Sequence, residues 1–252
     1  SYDFNHEKRG CCVIINNDKF TDMYDRPGSS CDVKNMETEF RNLGFDVKIY
    51  NNLTASYIDK KLRKVSMKYD HEKADCFVCI ILSHGEEHFD LKRERNDVIF
   101  GSDGHHISIA EIMERFSDPY CHGLLGKPRL FFIQACRGVK TEQGVDITIK
   151  SIKKVEVPVH PQKPIDRKKL IYSFSCILGY YAFRRESGTW FIKSLTYVLQ
   201  NSLRSKTFQQ MLTHVSYEMA MNYKSKNKKN LNIDGCVTIP CIMSMLTKDI
   251  YF

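Results

Sequence analysis

Continuous apolar runs alternate along the chain with segments in which apolar residues recur every three or four positions. The runs have the length of strands and lack polar alternation, which is typical of strands covered on both faces. Strands are predicted at 10–16, 46–50, 74–82, 129–135, 170–175 and 235–246.

Helical periodicity fills most of the segments between these strands. Ser108 with Glu111, and Thr207 with Gln210, have the spacing of a capping box, in which two residues satisfy each other's backbone amides. Helices are predicted at 31–43, from 54 onward, at 108–116, from 189 onward and from 207 onward.

This alternation predicts an α/β three-layer sandwich, in which helices cover both faces of a central, mostly parallel sheet of six strands. Two stretches interrupt the rhythm. The charged stretch 86–97 is not expected in the core. The stretch 139–169 has little periodicity and three prolines, and a connection of that length is normally functional or mobile.

Reactive residues follow two of the predicted strands. Gln134-Ala135-Cys136-Arg137-Gly138 closes one apolar run, and Ser83-His84-Gly85 closes another about 50 residues upstream. Carboxyl ends of parallel strands meet at one edge of a sheet, so we expect Cys136 and His84 to lie close together. A buried structural cysteine and a core histidine are the alternatives for these two residues.

A cysteine beside a histidine has a definite chemistry. The imidazole takes the thiol proton, and the thiolate attacks a carbonyl carbon. Backbone N–H groups of Gly85 and Cys136 would then stabilise the oxyanion. The pattern indicates a cysteine protease.

Composition changes this interpretation little. The net charge of +8 raises nucleic acid as a possible partner, but the basic run 224–230 has no interleaved aromatic residues and indicates a solvated loop.

The Cys76 and Cys79 thiols would point to opposite faces of a strand, so we expect no zinc there and no other cofactor. No apolar stretch reaches the length of a membrane span, and residues 1–5 lack a secretory apolar segment, so we expect reduced thiols and a cytoplasmic location.

Six motifs follow one another along nearly the whole chain. They are SHGEE at 83–87, GKPRLF at 126–131, QACRG at 134–138, GYYAFR at 179–184, GTWF at 188–191 and IPCIMSML at 239–246. In order and spacing they resemble the motifs of the caspase family. The short lead before the first strand and the segment 243–248 resemble the executioner branch.

The resemblance implies cleavage after aspartate, with three side chains holding the substrate carboxylate in the P1 slot. By motif they are Arg26, Gln134 and Arg184. Two guanidinium groups offer paired, charge-assisted hydrogen bonds to a carboxylate and would repel a Lys or Arg side chain. A surface role is the alternative for Arg26.

The resemblance also implies two further substrate pockets. Tyr181 and Phe183 match positions that line the apolar P2 pocket, Trp190 a position near the P4 pocket, and Arg185 a position beside it. Phe183 replaces a tryptophan that is common in executioners. The aromatic residues are equally compatible with ordinary core positions.

Family members mature by cleavage between a large and a small subunit. The resemblance divides this chain into a large-subunit region at 1–146, a linker at 147–169 and a small-subunit region at 170–252. Asp146 and Asp166 are the candidate processing sites, and the bulky residues that follow them favour cleavage by an upstream protease over self-processing.

The resemblance further implies protein substrates, a homodimer of processed units joined through the last strand, and control by protein inhibitors. We expect neither a membrane nor a nucleic acid as partner. The alternative from another class is a caspase-fold interaction protein that binds partners without cleaving them.

Overall fold

The computed structural model describes residues 1–89, 95–136, 142–143, 170–176, 182, 184–202, 206–226 and 234–252. The strands are β1 Lys8–Asn16, β2 Asp46–Asn51, β3 Ala74–Leu82, β4 Gly85–Phe89, β5 Arg95–Phe100, β6 His106–Ser108, β7 Arg129–Gln134, β8 Glu142–Gln143, β9 Leu170–Phe174, β10 Arg184–Arg185, β11 Gly188–Thr189, β12 Cys236–Val237 and β13 Cys241–Ser244. The helices are α1 Ser29–Asn42, α2 Ala55–Lys68, α3 Ile109–Glu114, α4 Trp190–Ser202 and α5 Phe208–Asn222, with a 3-10 turn at His122–Leu124.

Six strands form the central sheet in the order β13-β9-β7-β3-β1-β2. All neighbouring pairs are parallel except β13, which runs antiparallel to β9 at one edge. Helices α1, α4 and α5 pack on one face of the sheet, and α2 and α3 pack on the other. The predicted three-layer α/β architecture with a mostly parallel sheet of six strands is confirmed.

Strand β3 shows why the apolar runs fold as central strands, because all nine of its residues are buried. Its side chains alternate between the two faces of the sheet, and Cys76 lies in one hydrophobic cluster while Cys79 lies in the other. The two thiols therefore face opposite ways, as the spacing predicted. Burial raises the pKa of both thiols above the usual range, which keeps them protonated and unreactive.

The prediction of one last strand over 235–246 was wrong. This segment forms two short strands in different sheets, since β12 pairs with β8 and β13 pairs with β9. Pro240 lies between them, and a proline has no N–H with which to continue a ladder.

The charged stretch after β3 forms strands β4 and β5, which pair antiparallel, with β6 added beside β5. The described charged side chains of this stretch, Glu86, Glu87 and Asp97, lie outside the core, whereas Val98 and Ile99 are buried. The Thr207–Gln210 capping box is confirmed at the start of α5. Ser108 does not form the predicted box with Glu111: its oxygen accepts from the Ala110 N–H, and its hydroxyl donates to Asn96 on β5.

Among the described residues, no helix is both long and apolar enough to cross a membrane.

Candidate active site

The carboxyl ends of β3 and β7 place the two predicted reactive residues side by side in the fold. Leu82 on β3 pairs with Gln134 on β7, and the Ser83 N–H donates to the Gln134 carbonyl at 3.2 Å. His84 and Cys136 each follow two residues beyond that last pair. Both residues are partly exposed at this edge.

Gly85 fixes how close the two strand ends come. A Cβ atom built on Gly85 would lie 2.9 Å from the Ala135 Cβ and 3.0 Å from the Cys136 carbonyl oxygen. The backbone that carries His84 therefore lies directly against the backbone that carries Cys136. A side chain at position 85 would have to separate them, which gives a steric reason for the glycine in the motif.

The imidazole of His84 is held by a loop that the sequence analysis did not connect to it. Its Nε2 lies 2.7 Å from the Tyr24 carbonyl oxygen, and its ring lies against the Phe20 ring with centroids 4.7 Å apart. A carbonyl oxygen only accepts, so Nε2 carries the proton of the neutral ring. Nδ1 is then the nitrogen that can take a proton.

Residues 17–26, the first loop, carry both Tyr24 and Phe20. The Asn52 side-chain oxygen accepts from the backbone N–H groups of Asp18 and Lys19, at 2.9 and 3.0 Å. Within the loop, Lys19 forms an ion pair with Asp25 at 2.7 Å. These bonds tie the first loop to the end of β2 and hold the Tyr24 carbonyl in place.

Arg26 closes the first loop and is buried, with 2% of its surface exposed. Its Nη1 donates to the Asn17 carbonyl at 3.0 Å and to the Ser29 hydroxyl at 3.1 Å. A surface arginine is thus the wrong interpretation for this residue, because the protein holds its guanidinium group in one place.

Gln134 is the last residue of β7 and is 3% exposed. Its side-chain oxygen has no hydrogen-bond partner among the residues that the structure describes. A buried polar atom without a partner is costly and is frequent at functional sites, where a ligand or water satisfies it.

The remaining predicted site residues divide into three groups. Trp190 begins α4 and is buried, and its ring lies 5.5 Å from that of Tyr223, so the described part of its environment is the core. Arg184 and Arg185 form β10, where their backbones pair with Thr189 and Gly188, and their side chains are not described. Outside the described residues lie Tyr181, Phe183, Asp146 and Asp166.

No group of three or more His, Cys, Asp or Glu side chains is arranged to hold a metal ion in the described parts of the chain.

An α/β sandwich with a cysteine and a histidine at neighbouring strand ends defines a class of cysteine peptidases. Comparison with known proteins identifies the family. A family model, described as the caspase domain, matches residues 9–251, and the chain belongs to the caspase family.

Curated relatives and a solved structure agree with this assignment. The chain is 35% identical to Caspase-7 of Gallus gallus, with 100% of this chain and 79% of that protein covered. It is 36% identical to Caspase-3 of Oryctolagus cuniculus, covering 100% and 87%. The crystal structure of Caspase-1 from Spodoptera frugiperda superposes with a TM-score of 0.85 at 28% identity, over 99% of this chain and 94% of that one.

Membership implies the general activity of the family. Caspases are aspartate-specific cysteine endopeptidases with a role in apoptosis, which act on protein substrates and typically dimerise.

Proposed function

We propose that this chain is an active, executioner-type cysteine endopeptidase that cleaves proteins after aspartate through Cys136 and His84. The observation that carries the proposal is the hydrogen bond from His84 Nε2 to the Tyr24 carbonyl. This bond leaves Nδ1 as the basic nitrogen, at a strand end whose backbone touches that of Cys136. A caspase-fold protein that only binds partners has no chemical need for an oriented base.

In the reaction, His84 takes the proton of the Cys136 thiol, and the thiolate adds to the substrate carbonyl carbon. The N–H groups of Gly85 and Cys136 stabilise the oxyanion of the tetrahedral intermediate. His84 then donates the proton to the departing amine, leaving a thioester on Cys136. Water, deprotonated by His84, hydrolyses the thioester and releases the thiol.

Specificity for aspartate comes from the buried guanidinium of Arg26, from Gln134 and from Arg184. The burial of Arg26 and of Gln134 supports a preformed polar slot, in which the Gln134 amide would bind the carboxylate through its Nε2 donor. Charge-assisted hydrogen bonds from a guanidinium are about twice as strong as those between neutral groups.

The neighbouring pockets belong to the same proposal. Tyr181 and Phe183 line the P2 pocket, and Arg185 borders the P4 pocket. Trp190 supports the P4 wall from the core side, through its contact with the Tyr223 ring next to the exposed Lys224.

Maturation requires separation of the region 1–146 from the region 170–252, and we assign the cut to Asp146, made by an upstream protease, with Asp166 as the second site. If Asp146→Ala left maturation unchanged, this assignment would be wrong.

The mature units pair through β13, which is the edge strand of the central sheet and exposes Met243. An exposed strand edge is covered in most natural proteins. We place the homodimer in the cytoplasm, under the control of protein inhibitors.

Tetrapeptide substrates with P1 Asp, Asn and Lys test the proposal. The protein is expected to cleave only the P1 Asp peptide, and Cys136→Ala and His84→Ala are expected to abolish cleavage. Cys31→Ala is the matched control, because Cys31 is also an exposed thiol. Tight binding of P1 Asp peptides without any cleavage would instead support the non-catalytic interaction protein.

A further inference from the structure

The first turn of α1 contacts both halves of the proposed P1 slot. Ser29 accepts a hydrogen bond from Arg26 Nη1 at 3.1 Å. Three residues later, in the same turn, the Asp32 carboxylate accepts from the Thr189 N–H, at 2.9 Å to one oxygen and 3.2 Å to the other. Thr189 pairs in turn with Arg184 across the β10–β11 hairpin. A single helical turn therefore connects the two arginines.

The contact between Asp32 and the hairpin is close and fully buried. Asp32 is 0% exposed, and a buried carboxylate is costly unless donors compensate it. Gly188 has a φ of +107°, and a Cβ atom built on it would lie 2.6 Å from the Asp32 Oδ1. The backbone of the hairpin thus lies against the carboxylate, and a side chain at position 188 would force the hairpin or the carboxylate to move.

We propose that Asp32 is a positioning residue for P1 selectivity, which sets the spacing between Arg26 and Arg184 by holding the β10–β11 hairpin against α1. The inference rests on the proposed function, because it assumes that both arginines bind the P1 carboxylate. Asp32 precedes the proposed Asp146 cleavage site in the chain, and Thr189 follows it. Their hydrogen bond therefore connects the large-subunit region to the small-subunit region after maturation.

The expected consequence is a loss of selectivity rather than a loss of the nucleophile. Binding sites must hold their groups within about 0.5 Å of the productive geometry. Without Asp32, the hairpin is free to move away from α1, and the wider slot accepts glutamate, which is one methylene longer than aspartate. Cys136 and His84 follow β7 and β3, whose ends are held by their own strand pairing.

The test compares Asp32→Ala, Asp32→Asn and Asp75→Ala, using kcat and KM for otherwise identical tetrapeptides with P1 Asp or P1 Glu. Asp75→Ala is the matched control, because Asp75 is also buried and accepts a backbone N–H, from His6, but at the opposite end of β3.

For Asp32→Ala we expect KM for the P1 Asp peptide to rise about tenfold or more, as for the loss of a charge-assisted hydrogen bond, while kcat changes less than about threefold. The Asp/Glu ratio of kcat/KM should fall. Asp32→Asn keeps an acceptor oxygen for the Thr189 N–H and should retain most of the selectivity. Asp75→Ala should leave the ratio unchanged.

A preserved Asp/Glu ratio in Asp32→Ala would overturn the proposal, and so would an equal fall in Asp75→Ala. If Asp32→Ala does not fold, Gly188→Ala replaces it, because the added methyl group pushes the hairpin away from the same carboxylate. A preserved Asp/Glu ratio in Gly188→Ala, or an equal fall of that ratio in Asp75→Ala, would then overturn the proposal.

Binding measured in the Cys136→Ala protein separates this inference from the proposed function. Calorimetry of product peptides ending in Asp or Glu reports the slot without any hydrolysis. A preference for Asp that Asp32→Ala weakens supports the inference even if the unmodified protein cleaves nothing. The absence of any preference for Asp would overturn both proposals.

Discussion

The substitution Gly85→Ala tests whether the contact between the two strand ends sets the reactive geometry. The new Cβ would lie 2.8 Å from the Val98 carbonyl oxygen, 2.9 Å from the Ala135 Cβ and 3.0 Å from the Cys136 carbonyl oxygen. Ordinary van der Waals contacts begin at 3.4 Å. Two of the three neighbours are backbone atoms, so no flexible side chain can move aside.

The magnitude follows from these distances. Each neighbour must retreat by roughly half an ångström, and inserting a methyl group into a packed site typically costs about 1–3 kcal/mol. A displacement of about 1 Å at a reacting group costs roughly 100-fold in rate. Half of that displacement should lower kcat/KM about 10-fold or more for a P1 Asp tetrapeptide.

Gly104→Ala is the matched control. Gly104 has a φ of +74° with no heavy atom within 4 Å of an added Cβ. Its replacement should cost about 1 kcal/mol through backbone strain alone and leave kcat/KM unchanged. Urea unfolding and steady-state kinetics of both variants check the comparison. Activity of Gly85→Ala within twofold of the unmodified protein would refute the reasoning.

Three further predictions concern a buried histidine and the surroundings of the reactive pair. Burial lowers the pKa of His71 from 6.5 to about 4, so below pH 6.5 the unfolded chain takes up a proton that the folded chain does not. We expect protonation of His71 in the unfolded chain to lower the free energy of unfolding by about 2 kcal/mol between pH 8 and pH 5, as measured by urea titration. His71→Gln should remove this pH-dependent loss of stability. Phe20→Ala removes the ring that packs on the His84 imidazole. The value of kcat/KM should fall about threefold to tenfold, which corresponds to the loss of an aromatic pair. An unchanged kcat/KM would show that the ring does not orient the imidazole. Arg26→Lys keeps the charge but loses the planar guanidinium group that donates to the Asn17 carbonyl and to Ser29. The value of kcat/KM for a P1 Asp peptide should therefore fall about 10- to 100-fold. Full activity would contradict paired hydrogen bonding of the P1 carboxylate by Arg26.

The sequence predicted the centre of the fold well, because β3 and β7 are fully buried and therefore appear as continuous apolar runs. The adjacency of His84 and Cys136 followed from the same logic, since both residues come directly after such runs. Short strands were beyond this reasoning. Strand β12 exists because Cys236 and Val237 pair with Gln143 and Glu142, and a two-residue pairing leaves no periodicity in the sequence.

The supporting contacts of the site were also beyond the sequence. His84 bonds the backbone carbonyl of Tyr24, and every residue type carries the same carbonyl. Asp32 likewise bonds a backbone N–H, more than 150 residues away along the chain. Only a structure brings such groups together, whereas Arg26 and Gln134 could be named from motifs because their proposed roles depend on their side chains.

Covalent trapping tests the central claim most directly. The protein is treated with a tetrapeptide fluoromethyl ketone that ends in aspartate, and intact mass and peptide mapping locate the adduct. We predict one adduct per chain, on Cys136, with His84→Ala and Arg26→Ala left unlabelled and a reagent ending in lysine unreactive. Labelling of another cysteine, or equal labelling by the lysine reagent, would contradict the account.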